Sequence, residues 1–491
     1  MSDGTSTRPP TGVPILRRLL GDSAVYGLGG VANQALAILL VPIYARELGT
    51  EGYGTVALLT TTLSTATLIA TLALPQAFFR AYLREADDDV ERRAVLRTTL
   101  GLRLVTSVAA LAIMLLLAVP LGELILGTAT AWPLMALIGV VVLFDTLNVV
   151  PLSFLRAERR PGPYALLSFS RAVLGSILII GFVVAAGLGP LGVVLGSAMA
   201  AVVAAMAGTI LLARGGRLKL GLDGTLARRM LAFGLPLVPA ALAGWALNLS
   251  DRYLVNAFEG RDAVGIYSAG YTVGLAINAL AIAPFSLAWG AAYWEIAKRD
   301  DAPAVISRVL TGFAALACFA ALGISALATD AFRILLTPGF EDGRFVTPFS
   351  AFAFVAYGLF TVLTTGINLA GRTGRLPLIM GAAAAANFVL NLALIPALGY
   401  LGAAVSTLLG YALLAVIGGV VSQRAYPVPW ELGRVGVVLG LAMALAAAAI
   451  LGPDHVAWRL ATIVAYPAVV VGLGIVPRRY AAELIALIRR R

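Results

Sequence analysis

"FEGRDAVGIYSAG", Phe258–Gly270, repeats the pattern of "ELGTEGYGTVALL", Glu47–Leu59. From Gly49 to Gly260 and from Gly54 to Gly265 is the same step of 211 residues. Working outward, "ILRRLLGDSAVYGLGG" from Ile15 and "LARRMLAFGLPLVPAA" from Leu226 keep that step, so Arg17–Arg18 fall on Arg228–Arg229. Further on, "GLGPLGVVLGS" from Gly187 matches "ALGYLGAAVST" from Ala397, with Gly189 and Gly192 on Gly399 and Gly402 at a step of 210. Three matches in order, at nearly one spacing, point to an internal duplication.

Composition says what is duplicated. The chain has 491 residues, of which 60% are hydrophobic and 12% charged. Soluble domains carry about 25% charged residues, and a chain this apolar has no way to hide its surface from water. The class is an all-α integral membrane protein, because only helices and closed barrels satisfy their backbone in lipid. Apolar windows of about 20 residues mark some fourteen spans, near 23–45, 53–75, 98–120, 131–154, 164–186, 191–213, 231–256, 264–291, 305–328, 346–370, 376–398, 401–422, 434–452 and 457–477. An even number puts both termini on one side. With the N-terminus in the cytoplasm, most of the 36 Lys and Arg fall in cytoplasmic loops, as the positive-inside rule expects. The net charge of +11 then reflects topology and anionic lipid; no nucleic-acid partner is needed.

Six spans per repeat means both halves begin on the same side. Such parallel repeats are related by an axis along the membrane normal, and a pair of them encloses a central cavity. The divisions expected are 1–22, a cytoplasmic N-terminal segment; 23–213, a first lobe; 214–230, a cytoplasmic inter-lobe loop; 231–422, a second lobe; 434–477, two extra helices; and 478–491, "RRYAAELIALIRRR" with its flank, a basic amphipathic tail on the inner membrane surface. The polar N-terminus lacks a small-residue cleavage site and does not read as a cleaved signal peptide.

Four stretches carry a family resemblance: "NQALAILLVPIYARELGTEGYGTVALL" (33–59), "LALPQAFFRAYLRE" (72–85), "LSDRYLVNAFEGRDAVGIYSAGY" (249–271) and "NFVLNLALIPALGYLGAAVST" (387–407), the last with Asn387, Asn391, Pro396, Gly399 and Gly402 in place. The chain resembles the polysaccharide transporters, the O-antigen flippase type, of the superfamily that also holds multidrug exporters and lipid II flippases. The resemblance implies a transporter, not an enzyme, of the bacterial cytoplasmic membrane. Its cargo would be an undecaprenyl-diphosphate-linked oligosaccharide moved between leaflets by alternating access, through a polar, cationic cavity between two lobes in a V. It also implies contact with membrane lipids and leaves open a polysaccharide polymerase and chain-length machinery as partners.

A diphosphate cargo calls for Arg, whose fork binds two oxygens at once, and ionisable residues within spans default to function. Arg103 and Arg171 lie within spans, where anion binding competes with snorkelling to the inner boundary. Arg80 sits near the inner end of the second span, as cavity group or interfacial anchor. Asp145 is mid-span: a partner for Arg103 or Arg171, or the carrier of a coupling proton. Asp251 and Arg252 lie in the outer half of the seventh span; neighbours on a helix project about 100° apart, so each is free to reach a different helix across the cavity. Asn33, Gln34 and Asn248 add neutral polarity for sugar contact or helix bonding. Tyr44, Tyr53, Tyr267 and Tyr271 read as interface anchors. One Cys and one His leave no basis for a metal site or disulfide framework. No cofactor is expected, with proton or sodium coupling open.

Rival readings are a lipid II flippase or a drug or metabolite antiporter of the same superfamily. Several Arg against few buried acids favours an anionic cargo over the antiporter. A membrane polymerase or ligase would need a large external loop with catalytic groups; the longest here, about 329–345, carries no such constellation.

Overall fold

The computed structural model describes the backbone of residues 12–475 and the side chains of 36 and 38–475. The tail at 478–491 and residues 1–11 lie outside the described residues. What is described is helical throughout, with no strand among the described residues. Twelve of its helices are long and apolar enough to cross a membrane, and a shorter apolar helix, Val456–Gly472, follows. The difference from fourteen spans lies in two places. The first of the twelve, Ile38–Glu85, includes the Gly49 turn that separates the first two expected spans, and the last expected span is the shorter helix.

Gly49 holds φ +64°, Gly260 +85° and Gly399 +63°, a region that costs a residue without Cβ nothing. At each the chain turns from one helix into the next. That is why glycines mark the duplication.

The packing is duplicated as well. In the first lobe, Trp132–Ala157 packs between Asp89–Leu116 and Gly189–Arg214, and Pro161–Ile180 lies against Gly189–Arg214. In the second, Val346–Leu363 packs between Ala302–Ala326 and Tyr400–Gln423, and Leu376–Leu398 lies against Tyr400–Gln423. Small residues make these contacts close. A Cβ on Gly208 would meet the Pro151 ring, and one on Gly410 would meet Asn387.

The repeats differ at two points. The helix 50–71 ends at Leu72 and Ala73, both at φ +49°, before Leu74–Arg80 resumes. Left-handed backbone costs a non-glycine residue about 1–2 kcal/mol. Its counterpart Arg261–Ile277 runs on through a π-turn, Asn278–Ile282, into Ala283–Ile296. The seventh span is also broken. Gly224–Gly234 gives way at Leu235–Leu237, beside Pro236 and Pro239, to Val238–Leu249, and Asp251–Glu259 follows after Ser250.

The two extra helices, Leu432–Leu451 and Val456–Gly472, pack on Ala302–Ala326 of the second lobe. Arg459, buried at 3% side-chain exposure, pairs with Asp330 at 2.5 Å and with Asp454, which also takes Arg333 at 2.6 Å. Tyr466 donates to the Ala315 carbonyl at 3.1 Å.

Candidate functional site

The lobes meet through the helices 50–71 and Arg261–Ile277, and the meeting is symmetric. Gly54 lies against the Arg261 backbone, and Gly265 against that of Thr50. Thr50 Oγ1 donates to Asp262 Oδ1 at 2.6 Å, and Arg261 pairs with Glu51 at 2.5 Å. Since 261 and 262 stand one step of 211 beyond 50 and 51, these are the same contact made twice, the signature of an axis passing between them. Deeper along the same helix, Thr62 and Tyr253 share a hydrogen bond at 3.0 Å, and Asn256 Nδ2 donates to the Ile125 carbonyl at 2.9 Å. At this end the lobes are closed.

Beyond the closure lies a cavity of about 530 Å³ between the lobes. Thr60, Ser64, Thr67 and Thr71 of the helix 50–71 line one wall, with Gln76 and Asp145 nearby and Val238 and Ala241 of the second lobe opposite. A hydroxyl-rich helix is tolerated here because its own backbone satisfies it. Thr60 donates to the Ala57 carbonyl at 3.0 Å and Thr71 to the Thr67 carbonyl at 2.6 Å. Thr67 Oγ1 is buried and has no partner. At about 1.5 Å per residue, Thr60 stands roughly 15 Å along the helix from the Thr50 contact. Sequence reasoning passed over this wall, although its signal was there: 60, 64, 67 and 71 recur at helical spacing.

Asp145 and Arg171 form a two-pronged pair, Nε to Oδ1 at 2.7 Å and Nη2 to Oδ2 at 2.5 Å, both partly exposed. One of the two partners considered for Asp145 is thus the one it has. The pair borders the cavity through Asp145.

The other candidates stand apart from it. Arg103 is 1% exposed inside the first lobe, where Nη1 donates to the Ala70 carbonyl at 3.0 Å. That places a cation on the last turn of the helix 50–71, just before its break; it does not snorkel. Arg80 is half exposed, pairs with Glu85 at 2.7 Å and lies over the Phe233 ring at 4.7 Å. The described residues lining the cavity thus include no arginine, a correction to the expected cationic lining.

Asp251 and Arg252 also depart from expectation. They do not reach separate helices across a cavity; they pair with each other at 3.1 Å, buried inside the second lobe at 1% and 6% exposure. Ser250 ends one helix and Asp251 begins the next. At that junction Arg252 turns back to donate to the Asn248 carbonyl at 3.1 Å, and it lies over Tyr271 at 4.6 Å. Asp251 accepts from Tyr267 and, at 3.3 Å, from Thr407; Asn248 accepts from Tyr271 at 2.6 Å. Tyr44, Tyr53, Tyr267 and Tyr271 are therefore buried packing residues, the last two also hydrogen-bonded, not interface anchors. The side chains of Asn33 and Gln34 lie outside the described residues.

Among solved structures, a lipid II flippase MurJ in an inward closed conformation is similar to this chain, with TM-score 0.72 and 12% identity over 93% of this chain and 99% of that one. Two structures of multidrug resistance MATE family transporters of the MOP superfamily also match. The inward-facing one has TM-score 0.62 and 16% identity over 82% of this chain and 95% of that one. The outward-facing one has TM-score 0.56 and 17% identity over 88% and 99%. These likenesses bear on the fold. A comparison with curated protein sequences finds no matching relative. The family model described as polysaccharide biosynthesis protein matches residues 19–289, more than half of the chain. That match takes in the first lobe, the closure between the lobes and the polar cavity behind it, and the chain belongs to the polysaccharide biosynthesis protein family.

Proposed function

We propose that the protein is a flippase: it carries an undecaprenyl-diphosphate-linked oligosaccharide across the bacterial cytoplasmic membrane by alternating access, without making or breaking a bond. The carrying observation is the doubled contact of Thr50–Asp262 and Glu51–Arg261 sealing one end, with a hydroxyl-lined cavity between the same two lobes behind it. Two like-oriented bundles that meet at this end along one pair of symmetry-related helices are able to rock apart there. With both termini on the cytoplasmic side, the sealed end is external and the cavity receives cargo from the inside. Hydroxyls suit a sugar: Thr60 and Thr71, whose protons go to their own backbone, retain acceptor positions for its hydroxyls.

On this reading Arg171 and Asp145 form the charged border of the cavity. Arg171 releases one prong to a phosphate oxygen when the pair opens, and Asp145 is the group through which a proton or sodium ion would couple. Membrane lipids surround the lobes, and a polymerase would take the cargo on the far side. The test is purified protein in vesicles holding a fluorescent undecaprenyl-diphosphate oligosaccharide on the inner leaflet. Appearance at the outer leaflet is expected; a rate equal to that of protein-free vesicles would sink the proposal.

A further inference from the structure

The helix 50–71 borders two cavities. Its other side, with Thr62, Thr65, Ala66 and Ile69, walls one of about 710 Å³, within the range of about 300–1,000 Å³ usual for ligand cavities. Ala109, Ala110, Ile113 and Met114 of Asp89–Leu116 form its second wall, and Tyr253 and Asn256 reach it from the second lobe. It is apolar where the first is polar, and Ile69 and Ile113 at its edge are half exposed, so it is open to lipid.

The two cavities adjoin at the break in the helix. Leu72 lines the apolar one; Thr71 and Ala73, on either side of it, line the polar one. Arg103, which lines neither cavity, is anchored just behind that break. Its guanidinium is held by the Ala70 carbonyl, the Thr106 hydroxyl donates to the Arg103 carbonyl, and both Ala70 and Thr106 line the apolar cavity. Arg103 Nε is buried with no hydrogen-bond partner, and the guanidinium pairs with no carboxylate among the described residues. An unpaired cation within a membrane span is costly, and its field, poorly screened by an apolar surround, reaches well beyond contact distance. A polar chamber, an apolar chamber and a cation at their junction match one kind of molecule: a sugar joined through an anion to a hydrocarbon chain.

We propose that the apolar cavity holds the first isoprene units of a polyprenyl diphosphate, with the diphosphate at the Leu72–Ala73 break beside Arg103 and the sugar in the hydroxyl-lined cavity. The tail then leaves for the bilayer past Ile69 and Ile113, between the helices 50–71 and Asp89–Leu116. This rests on the flippase reading and adds the path of the lipid to it. It excludes the other large apolar groove, of about 540 Å³, between Val346–Leu363, Tyr400–Gln423 and Leu432–Leu451, as the tail site.

Two measurements test it. The first is vesicle transport of one oligosaccharide diphosphate on an undecaprenyl or a geranyl chain. Ala110→Phe and Ala66→Phe, which fill the cavity from opposite walls, should slow the undecaprenyl substrate about tenfold, the effect of losing burial of one or two methylenes. They should slow the geranyl substrate as well, because its isoprene units would sit in the same cavity, and Ala412→Phe in the other groove should slow neither. The second needs no variant: undecaprenyl diphosphate with a diazirine on its first isoprene unit should label 62–70 and 106–114. Labelling confined to 346–363 and 432–451, labelling abolished by phosphatidylglycerol as readily as by undecaprenyl phosphate, or unchanged undecaprenyl transport in both filled variants would each overturn the assignment. Wild-type vesicles that move neither substrate would overturn the flippase reading instead.

Discussion

Gly54 and Gly265 occupy one position in two repeats and meet at the seam between them, each against the backbone of the other's helix. A Cβ on either would collide with a carbonyl, of Arg261 in one case and of Thr50 in the other. Backbone has little room to yield. Gly265→Leu should therefore hold the sealed end apart. Cysteine placed at Thr62, buried behind the seal, should react with a bulky maleimide several-fold faster in that variant, in a Cys318→Ser background. Equal reactivity would mean that the seal tolerates the side chain.

Glu51 and Arg261 are exposed, and an exposed pair contributes only about 0.2–1 kcal/mol. Single neutral replacements should leave export within a few-fold of normal. A disulfide between Glu51→Cys and Arg261→Cys should by contrast stop export, and a reductant should restore it. Export by the oxidised, fully cross-linked protein would mean that this end need not open.

Arg171→Glu sets two carboxylates together at the cavity border. The pair is partly exposed, so its loss should cost stability no more than about 1–3 kcal/mol, leaving protein in the membrane at near-normal amounts while polymer export falls at least about tenfold. Asp145→Asn separates the roles: lost export with retained ion-independent exchange marks coupling. Normal export in Arg171→Glu would remove the pair from the site.

Arg252→Leu is expected to behave differently. It leaves Asp251 buried without its cation, and breaking a buried pair costs about 3–5 kcal/mol. Lower thermal stability in detergent and reduced yield should appear together, and Arg252→Lys should rescue only partly because it lacks the planar stack on Tyr271. A fully stable Arg252→Leu protein with lost export would place this pair in the transport path.

The clasp on the two extra helices carries a pH signature. Hydrogen bonds from the Arg333 guanidinium hold the Asp454 carboxyl below the usual carboxylate range. A carboxyl depressed in the fold stabilises it above its ordinary pKa, about 4, and loses that contribution as pH falls through the folded value. Hydrogen exchange in Val456–Gly472, taken relative to the intrinsic amide rate at each pH, should rise below about pH 4 and be flat from pH 5 to 8. Asp454→Asn should abolish the rise; exchange that rises equally in that variant would locate the titration elsewhere.

Hydropathy, loop charge and the repeated glycines determine class, span order and duplication. Each of these is local, since the length of an apolar run, the sign of a loop and a residue able to take positive φ are properties of short stretches. The twofold seam was half visible in the same way: 49 and 54 fall on 260 and 265, but nothing in the chain says that these two turns touch each other. Partnership was not legible. Asp251 and Arg252, neighbours in sequence, turned inward because the helix breaks at Ser250 and a buried charge takes the nearest anion. Asp145 chose Arg171 over Arg103 because the former's fork reaches both its oxygens. The cavity wall formed by Thr60, Ser64, Thr67 and Thr71 is a matter of which side of one helix the second lobe leaves uncovered. Only the placement of that lobe decides this, because a side chain's role in a membrane depends on whether lipid, protein or water stands opposite.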